Sequence, residues 1–424
     1  MKTINTHGLH EYLMCGYVSS PNKFFNEDRV VESPLPIYYN VEELSTSFND
    51  AKLRVGDTVR RIMKNKIHNQ SREPALFLSS GLDSSTLAVC APEPLNTYTI
   101  GFASRSWNEN SVAKSISDAC GHKHRFINFG ANDLYQGLDD YAANLNKPYS
   151  HPNGLATFLA MKEIKIKSDL VFDGSGADEI MGNVGQTGVD ELRVNRGEKA
   201  SAAFQLISFY RRLSVETKLL LTRCIPNSLI NKYKFLTLST AEEVIYFDFW
   251  KGVWFRELTG GQPDLPLALG KKISRLSESV DNNFHEYYVG WAWEAAMRRT
   301  LMWQAHFDLE VSMPLATQEF ANTYLSLPRE LRFKDQKIKA VLYSLIRDKE
   351  PTFTYSKRAI STPWDIIIRD SAWRPLLNEL PDRLTFFNSN YMAKLVKRHL
   401  SRQQNHGERL FNLAILAKFL EHHR

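Results

Sequence analysis

The chain has 424 residues, a formal net charge of +6, 43% hydrophobic and 24% charged residues, the proportions of a soluble globular protein with room for two domains and a sizeable core. No apolar run approaches the length of a membrane span, and the opening MKTINTHGLHEYLMCGYVSS lacks the apolar region and cleavage site of a secretory signal. The scattered Cys15, Cys90, Cys120 and Cys224 form no CxxC pair, which argues against a disulfide framework or zinc site and fits a reducing cytosol. The mild positive charge permits an anionic ligand without demanding nucleic acid.

In chain order, residues 1–45 are mixed and interrupted by Pro21, Pro34 and Pro36. Residues 46–68 place Phe48, Leu53, Val55, Val59 and Ile62 at helical spacing. Short apolar runs then alternate with helical patterns. Strands are expected at 75–79, 96–102, 124–129 and 168–174, and helices at 84–91, about 109–120, 131–145 and 154–166. Such alternation implies βαβ units and a parallel sheet. Past residue 190 strand patterns are few and helical spacing dominates to the end. The expected fold class is α/β, with a parallel-sheet domain over 71–190, a leader with a helix over 1–70, and a mostly helical region over 191–424.

The stretch FLSSGLDSSTLA (77–88) sets six small or polar residues between a strand and a helix. Ligands of parallel sheets bind beyond the carboxyl ends of strands, where a helix N-terminus and free N–H groups attract anions. Leu78, Ser79, Ser80, Gly81, Ser84 and Ser85 can cradle phosphate, with hydroxyls as further donors. Asp83 would repel phosphate directly, and makes sense as a ligand of a bridging Mg²⁺. The plainer alternative is that Asp83 or Ser84 simply caps the helix. No GK[ST] follows, so the turn is not a Walker P-loop.

The turn resembles the PP-loop, SGGxDS, of the ATP pyrophosphatase superfamily, with Ser80 in place of the first glycine. Further stretches resemble the synthetase domain of the asparagine synthetase-like family, which includes β-lactam synthetases and lasso-peptide cyclases. TYTIGF (97–102) is similar to TFSIGF, DGSGADEIMGN (173–183) to SGEGADELFGGY, and KRAISTP (357–363) to KxGFxxP. Asn108-Glu109 and His124 stand where the family has DE and a strand-opening His, and MPLATQEFANTYLSLPRELRF (313–333) resembles the R-x-PFLD segment. The resemblance runs from about residue 8 to the C-terminus.

The resemblance implies a PP-loop (adenine nucleotide α-hydrolase-like) fold and an ATP-dependent, AMP-forming amide synthetase. A substrate carboxylate would attack the α-phosphorus of ATP, and an amine would then displace AMP from the acyl-adenylate. Ile100, Gly101 and Phe102 would contact adenine, Gly174 and Gly176 would line the nucleotide, Asp83 and Asp178 would hold Mg²⁺, and Lys357 would be catalytic. The expected cofactors are ATP and Mg²⁺. The expected partners are a small-molecule or peptide carboxylate and an amine, with a separate ammonia donor or a precursor peptide as options, and neither a membrane nor nucleic acid.

Several positions depart from the family. Only 78 residues precede the PP-loop and Lys2 follows Met1, so no glutaminase activity is expected. Ser175 replaces the Glu of GEGADE, and a serine alone is a poor general base. Asp173 or Glu179 are the replacement bases on offer. Asn146-Lys147-Pro148 stands for DEP, and Ser312, Leu315 and Thr317 replace the Arg, Phe and Asp of R-x-PFLD. These changes lie around the ATP motifs and imply a divergent acyl or amine substrate in a specialised pathway. The rival readings are a tRNA-modifying PP-loop enzyme and a non-catalytic partner that keeps the fold. The aromatic run YFDFWKGVWF (246–255) is read as a core-facing helix.

Overall fold

The computed structural model describes residues 2–18, 22–28, 41–68, 70–104, 109–181, 252–261, 302–304, 306–334, 337–354 and 362–424, with isolated residues 209, 213 and 217. Its centre is a five-stranded parallel sheet of β1 (Ala75–Phe77), β2 (Asn96–Phe102), β3 (Lys123–Phe129), β4 (Leu170–Phe172) and β5 (Glu310–Ser312). The strand order is β3-β2-β1-β4-β5. The expected α/β class with a parallel sheet is observed. β5 lies in the stretch where helical spacing prevails, and three residues with Val311 as the one apolar side chain give no readable alternation.

Helix α1 (Thr6–Cys15) and α2 (Phe48–Ile67) precede the sheet. Helices α3 (Leu82–Cys90) and α4 (Asn110–Ala119) connect β1 to β2 and β2 to β3, and α5 (Ala131–Ala143) with α6 (Gly154–Lys165) connects β3 to β4. A five-residue helix, α7 (Ala177–Met181), follows β4. Helix starts follow ordinary capping chemistry. Ser47 Oγ accepts from Asp50 N at the head of α2, and Asp133 reaches back to Gly130 N at the head of α5. Later come α8 (Gly252–Thr259), α9 (Gln318–Leu325), α10 (Ala340–Lys349), α11 (Arg374–Arg383), α12 (Ser389–Leu400) and α13 (Gly407–His423).

The strands divide their side chains between two cores with period two, as pleating requires. Ala75, Tyr98, Val171 and Val311 face one core, shared with α1, α5, α6 and the C-terminal helices. Leu76, Leu78, Leu170 and Phe172 face the other, shared with α2, α3, α7, α9 and α10. The C-terminal helix α13 buries residues around its whole circumference, Leu410 to Leu420, and Tyr12 of α1 donates its hydroxyl to Asn412 O at 2.7 Å. Of the aromatic run, only residues 252–255 are described; Phe255 is fully buried, and Trp254 lies under the Arg409 guanidinium at 3.4 Å. Among the described residues, no helix is long and apolar enough to cross a membrane.

This topology fixes where a ligand can sit. β1 has β2 on one side and β4 on the other. The chain leaves β1 through α3 towards one edge of the sheet, and returns through α5 and α6 to the other. The carboxyl ends of β1 and β4 therefore flank the switch point, the crevice where open α/β sheets bind ligands.

Candidate active site at the switch point

The turn after β1 runs directly into α3, whose N-cap is Gly81 and whose first turn already contains Asp83 and Ser84. The helix begins two residues earlier than the hydrophobic spacing suggests, and neither Asp83 nor Ser84 is its cap. Ser79 N donates to Ser84 Oγ at 3.0 Å, Gly81 N to Ser79 Oγ at 3.1 Å, and the two hydroxyls lie 2.8 Å apart. Ser85 is buried and its hydroxyl donates to Ser79 O at 3.4 Å. These bonds hold the turn in a compact shape. The Ser79 and Ser84 hydroxyls are rotors, so each can turn to donate outward to an anion. Ser80 takes no positive φ, which is why a serine fits where the motif has glycine.

Ser80 has a second role. Its N–H and hydroxyl both donate to Glu109, at 3.3 and 3.0 Å, and Glu109 is buried. Burial raises the Glu109 carboxyl above its ordinary range, and the Ser80 bonds oppose that shift in part. His124 of β3 joins that strand to β2 and α4, with Nδ1 3.0 Å from Thr97 Oγ1 and Nε2 2.9 Å from Asn110 Oδ1. Asn108 lies outside the described residues.

β2 ends in Ile100, Gly101 and Phe102, paired with Ile127, Asn128 and Phe129 of β3. A Cβ on Gly101 would fall 2.3 Å from the tip of the Phe126 ring, so the glycine lets the ring lie over the strand end. β4 ends at Asp173, whose N–H donates to Ser312 O of β5 at 2.9 Å. A Cβ on Gly174 would meet Ser84 N at 3.0 Å and the Asp83 Cβ at 3.3 Å. Glycine thus lets the two Gly-rich turns approach closely. Gly176 has φ 86° and turns the chain into α7. Ser175 donates to Asp173 Oδ1 twice, from its N at 2.9 Å and its Oγ at 2.7 Å.

Asp83 and Asp178 meet across a residue that the sequence reading did not single out. Lys339 Nζ lies 2.5 Å from Asp83 Oδ1 and 2.7 Å from Asp178 Oδ1. The lysine side chain is 2% exposed, against 26% and 35% for the two aspartates. Burial pushes the ammonium pKa down, but Asp178 and Asp83 outweigh burial and hold it above the ordinary lysine range. Lys339 is left-handed, φ 55°, at the head of α10 and just after a two-stranded hairpin, Phe333–Lys334 with Lys337–Ile338. A left-handed β-carbon residue costs on the order of 1 kcal/mol, sustained here by the ion pairs. In sequence Lys339 is one of several lysines in KDQKIKAVLYSL. Its one cue is that it opens the apolar spacing Val341, Leu342, Ile346 without a Ser, Thr, Asp or Asn cap.

Two carboxylates bonded to one tetrahedral ammonium lie roughly 4 Å apart, a spacing compatible with binding one divalent ion. Among the described residues no group of three His, Cys, Asp or Glu is poised for a metal. Magnesium that travels with a nucleotide asks for no more than one or two carboxylates, with phosphate and water completing its shell. The two acids suit such an ion, which would take the place between them that Lys339 Nζ fills here.

Lys357 lies outside the described residues, as do residues 358–361 of the same segment. Its exit is described: Thr362 N donates to Asn153 Oδ1 at 2.8 Å, and Trp364 Nε1 to Pro152 O at 2.8 Å. Of Glu179 only the backbone, within α7, is described. Ser312 closes β5 beside Asp173, Leu315 is fully buried, and Thr317 caps α9. These three departures from R-x-PFLD thus have packing and capping roles of their own.

A doubly wound sheet with a small-residue turn and converging acids at its switch point defines an α/β protein with a polar ligand crevice at the carboxyl ends of its central strands. Residues 54–423 match the family model described as asparagine synthase. The chain belongs to the asparagine synthase family, a family of ligases that form carbon–nitrogen bonds. It is 25% identical over 199 residues to a putative glutamine-hydrolyzing asparagine synthetase of Mycobacterium bovis, over 42% of this chain and 30% of that protein. The match to a Mycobacterium tuberculosis protein of the same description has the same extent. Asparagine synthetase (glutamine-hydrolyzing) 1 of Bacillus subtilis is 28% identical over 120 residues, 27% of this chain and 19% of its own length. The chain therefore covers less than a third of each of these relatives.

Proposed function

We propose that this chain is an ATP-dependent, AMP-forming amide synthetase that adenylates a carboxylate and passes the acyl group to an amine. The observation that carries the reading is the convergence of Asp83, Asp178 and Lys339 at the switch point, against the turn Ser79–Ser85. A lone Gly-rich turn binds many anions. A turn facing two acids and a buried cation suits a triphosphate whose charge must be balanced along its length.

The residues divide the work as follows. Ser79, Ser80, Gly81, Ser84 and Ser85 hold the β- and γ-phosphates as leaving pyrophosphate, after Glu109 yields the Ser80 N–H. Leu78, Ile100, Gly101 and Phe102 form the adenine side, from the ends of β1 and β2. Gly174 and Gly176 keep the second turn close to the first. Asp83 and Asp178 would hold Mg²⁺, which when bound neutralises phosphate charge. Lys339 then lies beside the phosphates as a fixed positive charge. Lys357, in the KRAISTP segment, is assigned to the oxyanion of the second step. The nitrogen comes from an amine on the substrate, free ammonia or a partner, in a specialised biosynthetic pathway.

Carboxylate-dependent exchange of labelled pyrophosphate into ATP tests the reading. It is expected for the wild type with at least one carboxylate of a broad panel, and lost in Asp83→Ala and Asp178→Ala. ATP binding without exchange for any member of the panel would sink it.

A further inference from the structure

Where the family motif reads Ser-Gly-Glu, this chain reads Asp173-Gly174-Ser175: the acid and the hydroxyl have changed places. The two side chains meet, with Ser175 Oγ 2.7 Å from Asp173 Oδ1. Asp173 is 7% exposed, pinned by its own N–H to Ser312 O of β5. Gly174, between them, packs against Asp83 and Ser84 so closely that a side chain there would press on both. The pair thus sits one residue from the phosphate turn on one side, and three residues from Asp178 on the other.

We propose that Asp173 is the proton acceptor of the amide-forming step and that Ser175 Oγ relays the proton. The proposal rests on the adenylation reading above and assigns its second half. A hydroxyl that donates to a carboxylate presents its oxygen as an acceptor to an incoming N–H. The amine nitrogen attacks the acyl carbon of the acyl-adenylate, the new C–N bond forms, and the C–O bond to AMP breaks. The amine proton passes to Ser175 Oγ as the serine proton passes to Asp173 Oδ1. Amide, AMP and a protonated Asp173 result, and the carboxyl returns its proton to water. A serine alone cannot serve as base at neutral pH, but a serine bonded to a buried carboxylate can pass a proton on. The exchange of acid and hydroxyl therefore keeps one carboxylate in the motif while moving the group that meets the amine out from a Glu to a shorter Ser.

The alternative is that Asp173 only shapes its turn, and Asp173→Asn separates the two. Asparagine Oδ1 accepts the same two bonds from Ser175, but the amide cannot take up a proton. The assays use a panel of L-aspartate, L-glutamate, their N-acyl derivatives and a peptide with free side-chain carboxylates. Each carboxylate is run with pyrophosphate exchange, with methylamine or ammonium as acceptor, and with hydroxylamine, whose nitrogen is neutral and reactive without a base at pH 7. D173N is expected to lower amide formation about 100-fold or more, with exchange and hydroxamate formation falling less than about fivefold. Ser175→Ala should show the same split. Equal amide formation in D173N and wild type would reduce Asp173 to a turn former. Loss of exchange together with amide formation would assign it to the nucleotide instead. Failure of exchange in the wild type across the panel would overturn the adenylation reading, and this inference with it.

Discussion

Replacing Lys339 by methionine keeps the apolar stem and the β-carbon, so the cost of the left-handed backbone is the same in both proteins, and only the ammonium is removed. Asp83 and Asp178 then face each other at roughly 4 Å, and at an effective dielectric constant near 20 they repel by about 4 kcal/mol. The lost attractions are individually larger, but burying the ammonium cost several kcal/mol that the variant no longer bears. Both aspartates are about a third exposed or less, and water and proton uptake relieve part of the repulsion. The net expectation is a loss of about 3 kcal/mol at pH 7, in line with breaking a buried pair by removing one partner. Urea unfolding of wild type, K339M, the double variant D83N/D178N and the triple variant would measure it. The triple variant should recover most of the loss, since all three charges leave together. The K339M deficit should shrink as pH falls through the carboxylate range, where the uncompensated acids protonate. Millimolar Mg²⁺ should stabilise K339M more than wild type. A deficit under about 1 kcal/mol, or one indifferent to pH and to D83N/D178N, would refute the claim that Lys339 holds the two acids together.

Gly174→Ala should cost about 1–3 kcal/mol by overpacking, as its Cβ would press on Ser84 N and Asp83, and ATP affinity measured by calorimetry should fall with it. Ser80→Gly removes the hydroxyl bond to buried Glu109 and should lower stability by about 1 kcal/mol, while ATP affinity stays within about threefold because the N–H donor remains. His399 and His406 are buried, and burial, with Arg369 beside the first and Arg409 beside the second, lowers both to about 4. The unfolded chain binds these protons near pH 6.5 and the folded chain does not, so the stability is present above 6.5 and lost as pH falls towards 4. Between pH 6.5 and 5 each histidine should cost about 2 kcal/mol, and a pH series of urea midpoints should lose that dependence in His399→Gln/His406→Gln.

How much of this was legible in the sequence depends on which physical signal carried it. β2 is read to the residue because Asn96–Phe102 is long and bounded by turn residues. β1 and β4, Ala75–Phe77 and Leu170–Phe172, are shorter than the expected runs, with a single backbone bond each from Leu78 and Asp173 continuing them. β5 escaped because a buried three-residue strand has too few positions for any period. Asp83 and Asp178 could be named because each is embedded in a Gly-rich turn at a strand end, a local feature. Lys339 could not, since it becomes a site residue through contacts with residues 256 and 161 positions away. The Asp173–Ser175 pair lay in plain view in the sequence, but the bond between its side chains emerges only in the fold.

The central claim is that this site cleaves ATP between its α- and β-phosphates at the demand of a carboxylate. The most direct measurement is the product of ATP labelled at the α-phosphorus, incubated with Mg²⁺, the carboxylate panel and hydroxylamine. The account predicts labelled AMP, with equimolar pyrophosphate and hydroxamate, absent without carboxylate and absent in Asp83→Ala. Labelled ADP with orthophosphate, or AMP released at the same rate whether or not a carboxylate is present, would contradict it.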